Sequence, residues 1–155
     1  MKKFLFISLF SILIVSCGKI DLFEKQVQIP SQQWFYNNIP QFTIHIDDTS
    51  SLYNVYLVLR HTDLYNYNNI WLRVGSKAPG DSMHFQNINL LLASDSKGWE
   101  GTGTDDIFEV RKSISPGPVS FKTPGDYTFS IGQIMRENPL RYILSVGIRV
   151  EKVKI

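Results

Sequence analysis

The sequence predicts an all-β protein: an antiparallel β-sandwich, jelly-roll-like, forming a single domain after a cleaved signal peptide. Three observations carry this expectation. Aromatic residues make up 13% of the 155-residue chain and charged residues only 19%, a balance that suits half-buried pleated surfaces better than salt-bridged helices. Several segments alternate apolar and polar residues with period two, as strands with one buried face do. Turn clusters rich in Pro and Gly separate them at intervals of about 8–12 residues, with no long helical pattern between.

In chain order, "QFTIHI" turns Phe42, Ile44 and Ile46 to one side and Gln41, Thr43 and His45 to the other. "LYNVYLVLRH" collects Tyr53, Val55, Leu57 and Leu59 on one face, and "NIWLRV" and "DIFEVRK" read as shorter strands. In "SMHFQNINLLLAS" the phase changes: Met83 and Phe85 alternate on one parity, Ile88, Leu90 and Leu92 on the other, so a bulge near Asn87 is expected. "DYTFSI" groups Tyr127, Phe129 and Ile131, and "RYILSVGIRV" groups Tyr142, Leu144, Val146, Ile148 and Val150. "KAPGD", "KGWEGTGTDD", "SPGPVS" and "TPGD" supply the corners. "IGQIMREN", ending before Pro139, is the most helix-like piece and is expected to make one or two turns. There is no internal repeat.

The first residues have another purpose. Met1-Lys2-Lys3 is a basic start, and Phe4 to Val15 is apolar apart from Ser8 and Ser11. That run is shorter than the roughly 20 apolar residues a membrane-spanning helix needs, and it has the form of a secretory signal. Ile14-Val15-Ser16-Cys17 resembles a bacterial lipobox, in which cleavage precedes the cysteine, its thiol takes a diacylglycerol, and the new amino terminus receives a further chain such as palmitate. Cys17 is the chain's one cysteine, and an unpaired thiol would be unusual in an oxidising compartment. Two or three acyl chains hold stably where one gives marginal binding. The chain then divides into a signal peptide over 1–16, a lipidated N-terminus and tether over 17–24, and the sandwich over 25–155. Gly18, in the position where an aspartate can retain a lipoprotein at the inner membrane, points to the outer membrane; Gly18-Lys19-Ile20-Asp21 lacks the acidic cluster associated with surface export in some bacteria, so the body is expected to face the periplasm rather than the outside.

Cleavage removes Lys2 and Lys3, so 14 of the 16 Lys and Arg remain against 14 Asp and Glu. A near-neutral mature chain gives no reason to expect nucleic acid. No cofactor is implied either. His45, His61 and His84 match no metal-binding spacing and read as surface or hydrogen-bonded histidines. "GTGTDD" lacks the lysine and following helix of a phosphate loop. Asp95, Asp105 and Asp106 flank a Gly-rich segment and offer the hard oxygen ligands calcium takes, but such a segment is first of all a turn. No serine sits in a nucleophile elbow and no carboxylate pair declares itself, so an enzyme is not expected. The more unusual stretch is "LRHTDLYNYNNIWL". Tyr65, Tyr67, Asn69 and Trp71 form an aromatic and amide-rich patch suited either to stacking a sugar ring or to anchoring a protein partner, with some of its rings able to face the core instead.

Arg60-His61, Tyr65, Tyr67, Asn69 and Trp71-Leu72, followed by "LLAS" and "GWEGTGTDDI", resemble in order and spacing the gliding motility lipoprotein GldH family of Bacteroidetes. "GDYTFSIGQIMRENPL" and "VGIRVEK", Val146 to Lys152, continue the likeness, which covers nearly the whole chain including Cys17. The "GWEGTGTDDI" turn departs from it, since many members carry one more residue there. The resemblance implies a lipoprotein needed for gliding over surfaces, acting with other envelope lipoproteins and the type IX secretion apparatus, and it brings no catalytic residues. A carbohydrate-binding module is the alternative, through the same aromatic patch.

Overall fold

The computed structural model describes residues 22–153; the signal peptide and Cys17 lie outside them. Eight principal strands follow in order: β1 (Leu22–Gln28), β2 (Gln41–Ile46), β3 (Leu52–Thr62), β4 (Asn69–Lys77), β5 (His84–Leu91), β6 (Ile107–Ser113), β7 (Gly125–Gln133) and β8 (Ile143–Lys152). Leu22, Phe23 and Glu24, assigned to the tether on sequence, lie in β1. One sheet runs β1-β8-β3-β6, extended beyond β6 by Thr102–Thr104 and joined on β3 by Val119–Ser120; the other runs β2-β7-β4-β5. Every pairing between these strands is antiparallel. Successive strands dealt to two sheets in this order form the double Greek key of a jelly roll.

The alternating faces close one core between the sheets. Phe42, Ile44 and Ile46 from β2, Tyr53, Val55, Leu57 and Leu59 from β3, Tyr127, Phe129 and Ile131 from β7, and Val146, Ile148 and Val150 from β8 are all buried. Each large side chain so enclosed contributes about 1.5–3 kcal/mol. "NIWLRV" and "DIFEVRK" are strands as expected, within β4 and β6.

Three local expectations are corrected. β5 has no bulge: its register with β4 is continuous from His84–Ser76 to Leu91–Asn69. Leu90 and half-buried Ile88 therefore face inward throughout, and Phe85 faces out, 63% exposed. β8 contains the irregularity instead, between Ile143 and Ser145, which puts Ile143 in the core where Tyr142 and Leu144 were expected. "IGQIMREN" is not helical, because β7 continues through Gln133 while paired to Arg73 and Leu72 of β4.

Gln133 ends β7 on its inward parity and is 2% exposed. Its amide nitrogen donates to the carbonyls of Trp34 and Glu137, each at 3.2 Å, and its amide oxygen accepts from the Met135 N–H at 2.8 Å. One buried amide thus joins the segment around Trp34 to the loop that follows β7. The indole of fully buried Trp34 donates to the Asn38 carbonyl at 2.7 Å, fixing the other side of the same corner.

At one end of the core His61 is fully buried against the rings of Tyr65, Trp99 and Phe108. Its Nδ1 bonds to the Thr62 carbonyl at 2.8 Å, while Nε2 has no partner. Burial holds its pKa below the ordinary value.

Two measurements follow from these buried groups. Gln133→Leu removes the partner of three backbone groups, and at about 1–3 kcal/mol for each group left unpaired in the interior, urea titration should show a loss of at least about 2 kcal/mol. For His61 the folded pKa lies below the unfolded one, so its stabilising effect is complete above about pH 6.5 and is lost as pH falls. The slope approaches about 1.4 kcal/mol per pH unit between the two values. His61→Phe should remove that part of the acid dependence in thermal melts recorded from pH 7.5 to 5.

Candidate functional site

The two outer faces of the sandwich differ in chemistry. On the β1-β8-β3-β6 sheet, Arg149 bridges Glu24 and Glu151, each at 2.8 Å, and Arg111 contacts Glu109 at 3.0 Å. The hydrogen bond from Arg149 holds the Glu24 carboxyl below its usual pKa. This face is a ladder of satisfied charges.

The outer face of β2-β7-β4-β5 is built otherwise. Pairing puts Phe85, Gly75 and Ser130 in one row across β5, β4 and β7, then Asn87, Arg73 and Gly132, then Asn89 and Trp71. Gly132 leaves β7 without a side chain on this face, and a Cβ there would lie 3.5 Å from the Ile39 side chain. At Gly75 a Cβ would lie 2.9 Å from both the Met83 sulfur and the Phe85 ring and 2.3 Å from the Ser130 hydroxyl, so these side chains close over the backbone there. Beside them, over Gly132, lies a trough of about 380 Å³ bordered by Tyr36, Ile39, Arg73, Phe85 and Met135. Tyr36, Ile39, Trp71, Phe85 and Leu91 are all exposed.

The trough's wall is hydrogen-bonded into place. The Tyr36 hydroxyl donates to the Met135 carbonyl at 2.7 Å, and the Tyr36 N–H donates to the Asn138 side-chain oxygen at 2.9 Å. Ile134 N–H donates to the Trp71 carbonyl at 3.0 Å. Arg73 donates to Asn87 at 3.3 Å, and among the described residues no carboxylate lies within ion-pair distance of it.

Next to the trough, Tyr67, Asn69, Trp71, Ile134, Met135 and Arg136 line a second cleft of about 560 Å³. The structure therefore brings three of the four patch residues to one surface. Tyr65 is separate: it is 4% exposed, donates its hydroxyl to the Asn69 carbonyl at 3.0 Å and packs on His61 and Trp99. Burial raises its pKa. Tyr67 donates to Glu137 at 3.0 Å, which raises its own, and Asn69 donates to Asn89 at 2.7 Å.

Tyr36, Ile39, Arg73, Phe85 and Met135 were not picked out in the sequence. Phe85 was readable once β5 kept a single phase; the others depend on long-range pairing and loop placement. His45 and His84 lie on the surface beside Asp126 and Asp81. Asp105 and Asp106 precede β6, while Asp95 belongs to the separate hairpin of Ala93–Ser94 and Gly98–Trp99. No three His, Cys, Asp or Glu side chains gather as a metal site among the described residues.

The chain matches the GldH lipoprotein family model over residues 21–150. It is 26% identical over 155 residues to the gliding motility lipoprotein GldH homolog of Christiangramia forsetii, covering 95% of this chain and 94% of that one. It is 28% identical over 149 residues to the gliding motility lipoprotein GldH of Flavobacterium johnsoniae, covering 92% and 91%. Among solved structures, the infectious bursal disease virus VP2 subviral particle superposes with a TM-score of 0.37 at 14% identity, over 85% of this chain and 32% of its own, a likeness too slight to bear on function. With the family match spanning nearly the whole sandwich and both relatives aligned nearly end to end, this chain belongs to the GldH lipoprotein family.

Proposed function

We propose that this protein is a non-catalytic component of the gliding machinery, anchored in the outer membrane by acyl chains on Cys17, with its sandwich facing the periplasm. It acts with other envelope lipoproteins and the type IX secretion apparatus. The observation that carries the docking part is the contrast between the sandwich's faces: one is neutralised by ion pairs, while the other keeps an apolar trough beside Arg73, which has no carboxylate partner among the described residues. Exposed aromatics with a nearby guanidinium are the residue types that anchor protein interfaces. Anchoring raises the local concentration of the domain, so modest contacts suffice.

A glycan is the second reading, supported by Trp71 and Tyr67 beside the Asn69–Asn89 amide pair. Rings that stack on a pyranose and amides that bind its hydroxyls would be adjacent there.

Crosslinking of the tagged full-length protein in living cells, with mass spectrometry of what co-purifies from the outer membrane, tests the proposal. Motility or secretion lipoproteins should be recovered, with yield falling at least tenfold for Arg73→Glu while membrane attachment is unchanged. Cys17→Ala should move the protein into the soluble fraction and stop gliding; normal retention and gliding in that variant would defeat the anchor. Capture of polysaccharide without protein partners, weakened by Trp71→Ala, would select the glycan reading.

A further inference from the structure

The four sheet edges are not equally protected. β1 carries Glu24 and Lys25, and at the other side Thr102–Thr104 covers Ile107–Glu109 of β6 while the rest of that strand carries Arg111 and Lys112. β2 is six residues long and runs into Asp47 and Asp48, with the His45–Asp126 pair beside it. β5 is eight residues, "HFQNINLL", with no Lys, Arg, Asp, Glu or Pro. Natural proteins place just such residues on an exposed edge to prevent another strand from adding to it.

The phase of β5 shows which backbone groups are available. Leu92 N–H donates to the Asn68 carbonyl at 2.7 Å, continuing the β4 ladder, so even-numbered residues bond to β4. Phe85, Asn87, Asn89 and Leu91 consequently direct their N–H and C=O groups away from the sheet. No turn or loop backbone group of the described residues bonds to them.

We propose that β5 pairs antiparallel with β5 of a second copy of this chain, about a two-fold axis at Ile88. The sequence is self-complementary in this register. On the outer face Phe85 meets Leu91 of the other copy at each end, and Asn87 meets Asn89 between them. On the inner face Ile88 lies beside its own equivalent. Odd residues face odd residues, so their free backbone groups can form the new ladder, and no charge is buried. The two four-stranded sheets become one eight-stranded sheet, and the trough is doubled across it. An isologous contact of this kind closes on itself rather than growing into a filament.

The test uses the full-length chain in its own membranes. At the axis the two Ile88 residues form a non-hydrogen-bonded pair, where Cα atoms stand about 4.5 Å apart, within disulfide range. Under mild oxidation Ile88→Cys should give a band of twice the chain mass on a non-reducing gel, at least tenfold stronger than wild type or Thr43→Cys on the opposite edge. Adding Asn87→Lys and Asn89→Lys should lower that yield at least tenfold. Should Ile88→Cys fail to accumulate, differently tagged Asn87→Cys and Asn89→Cys copies expressed together should crosslink to each other, tenfold more than either does alone. Yields equal to Thr43→Cys, yields indifferent to the lysines, or crosslinks to other proteins only would overturn the proposal, the last by assigning the edge to a foreign strand.

Discussion

The antiparallel pairing of β3 with β8 is the constraint on which the rest of the sandwich hangs. It joins residues 53–61 to residues 143–152, well over half the length of the domain apart. β1 attaches through β8, β6 attaches through β3, and the inward residues of both strands supply the centre of the core. No cysteine pair assists, so burial and register must suffice. A one-residue slip would turn Leu57, Leu59 and Ile148 to solvent, which makes the register expensive to violate. Contacts this distant in sequence also close late and place such a fold among slower folders.

Given that frame, the candidate site arises from how the spare faces are filled. Arg149 and Glu24 bring β8 and β1 together while covering one sheet. On the other sheet Gly132 lowers the floor, and two loops rise along one side. Those loops come from distant parts of the chain, and Gln133 meets the backbone of both. The same amide that satisfies the interior therefore sets the height and position of the trough's wall. The shape of the trough and the integrity of the core are coupled at one residue.

Strand identity was readable from alternation because most strands bury a single face. β2, β3 and β7 followed their parity without exception at the residues named. β5 misled because Met83 and Phe85 are apolar and sit outside: period two reveals that a face is apolar but not whether it is the core or an interface. Tyr65 and Tyr67 illustrate the same ambiguity, two residues apart, one enclosed beside His61 and the other open to the cleft. Gln133 did leave a signal, a polar side chain at the position after Tyr127, Phe129 and Ile131 where another apolar one was due. It was obscured by reading "IGQIMREN" as a helix. Tyr36, Ile39 and Arg73 left none, since only the pairing of remote segments gives them a common surface.

The attachment of β1 has a mechanical consequence. On the anchored reading, tension from the membrane enters the sandwich at Leu22, and β1 pairs with β8 through seven residues, from Leu22–Glu151 to Gln28–Ser145. Traction along that ladder loads its rungs together, with the Glu24–Arg149 bridge as a lateral tie; traction across it would open them one after another. On that reading the first strand is a force-bearing joint, whose strength depends on the direction of the pull.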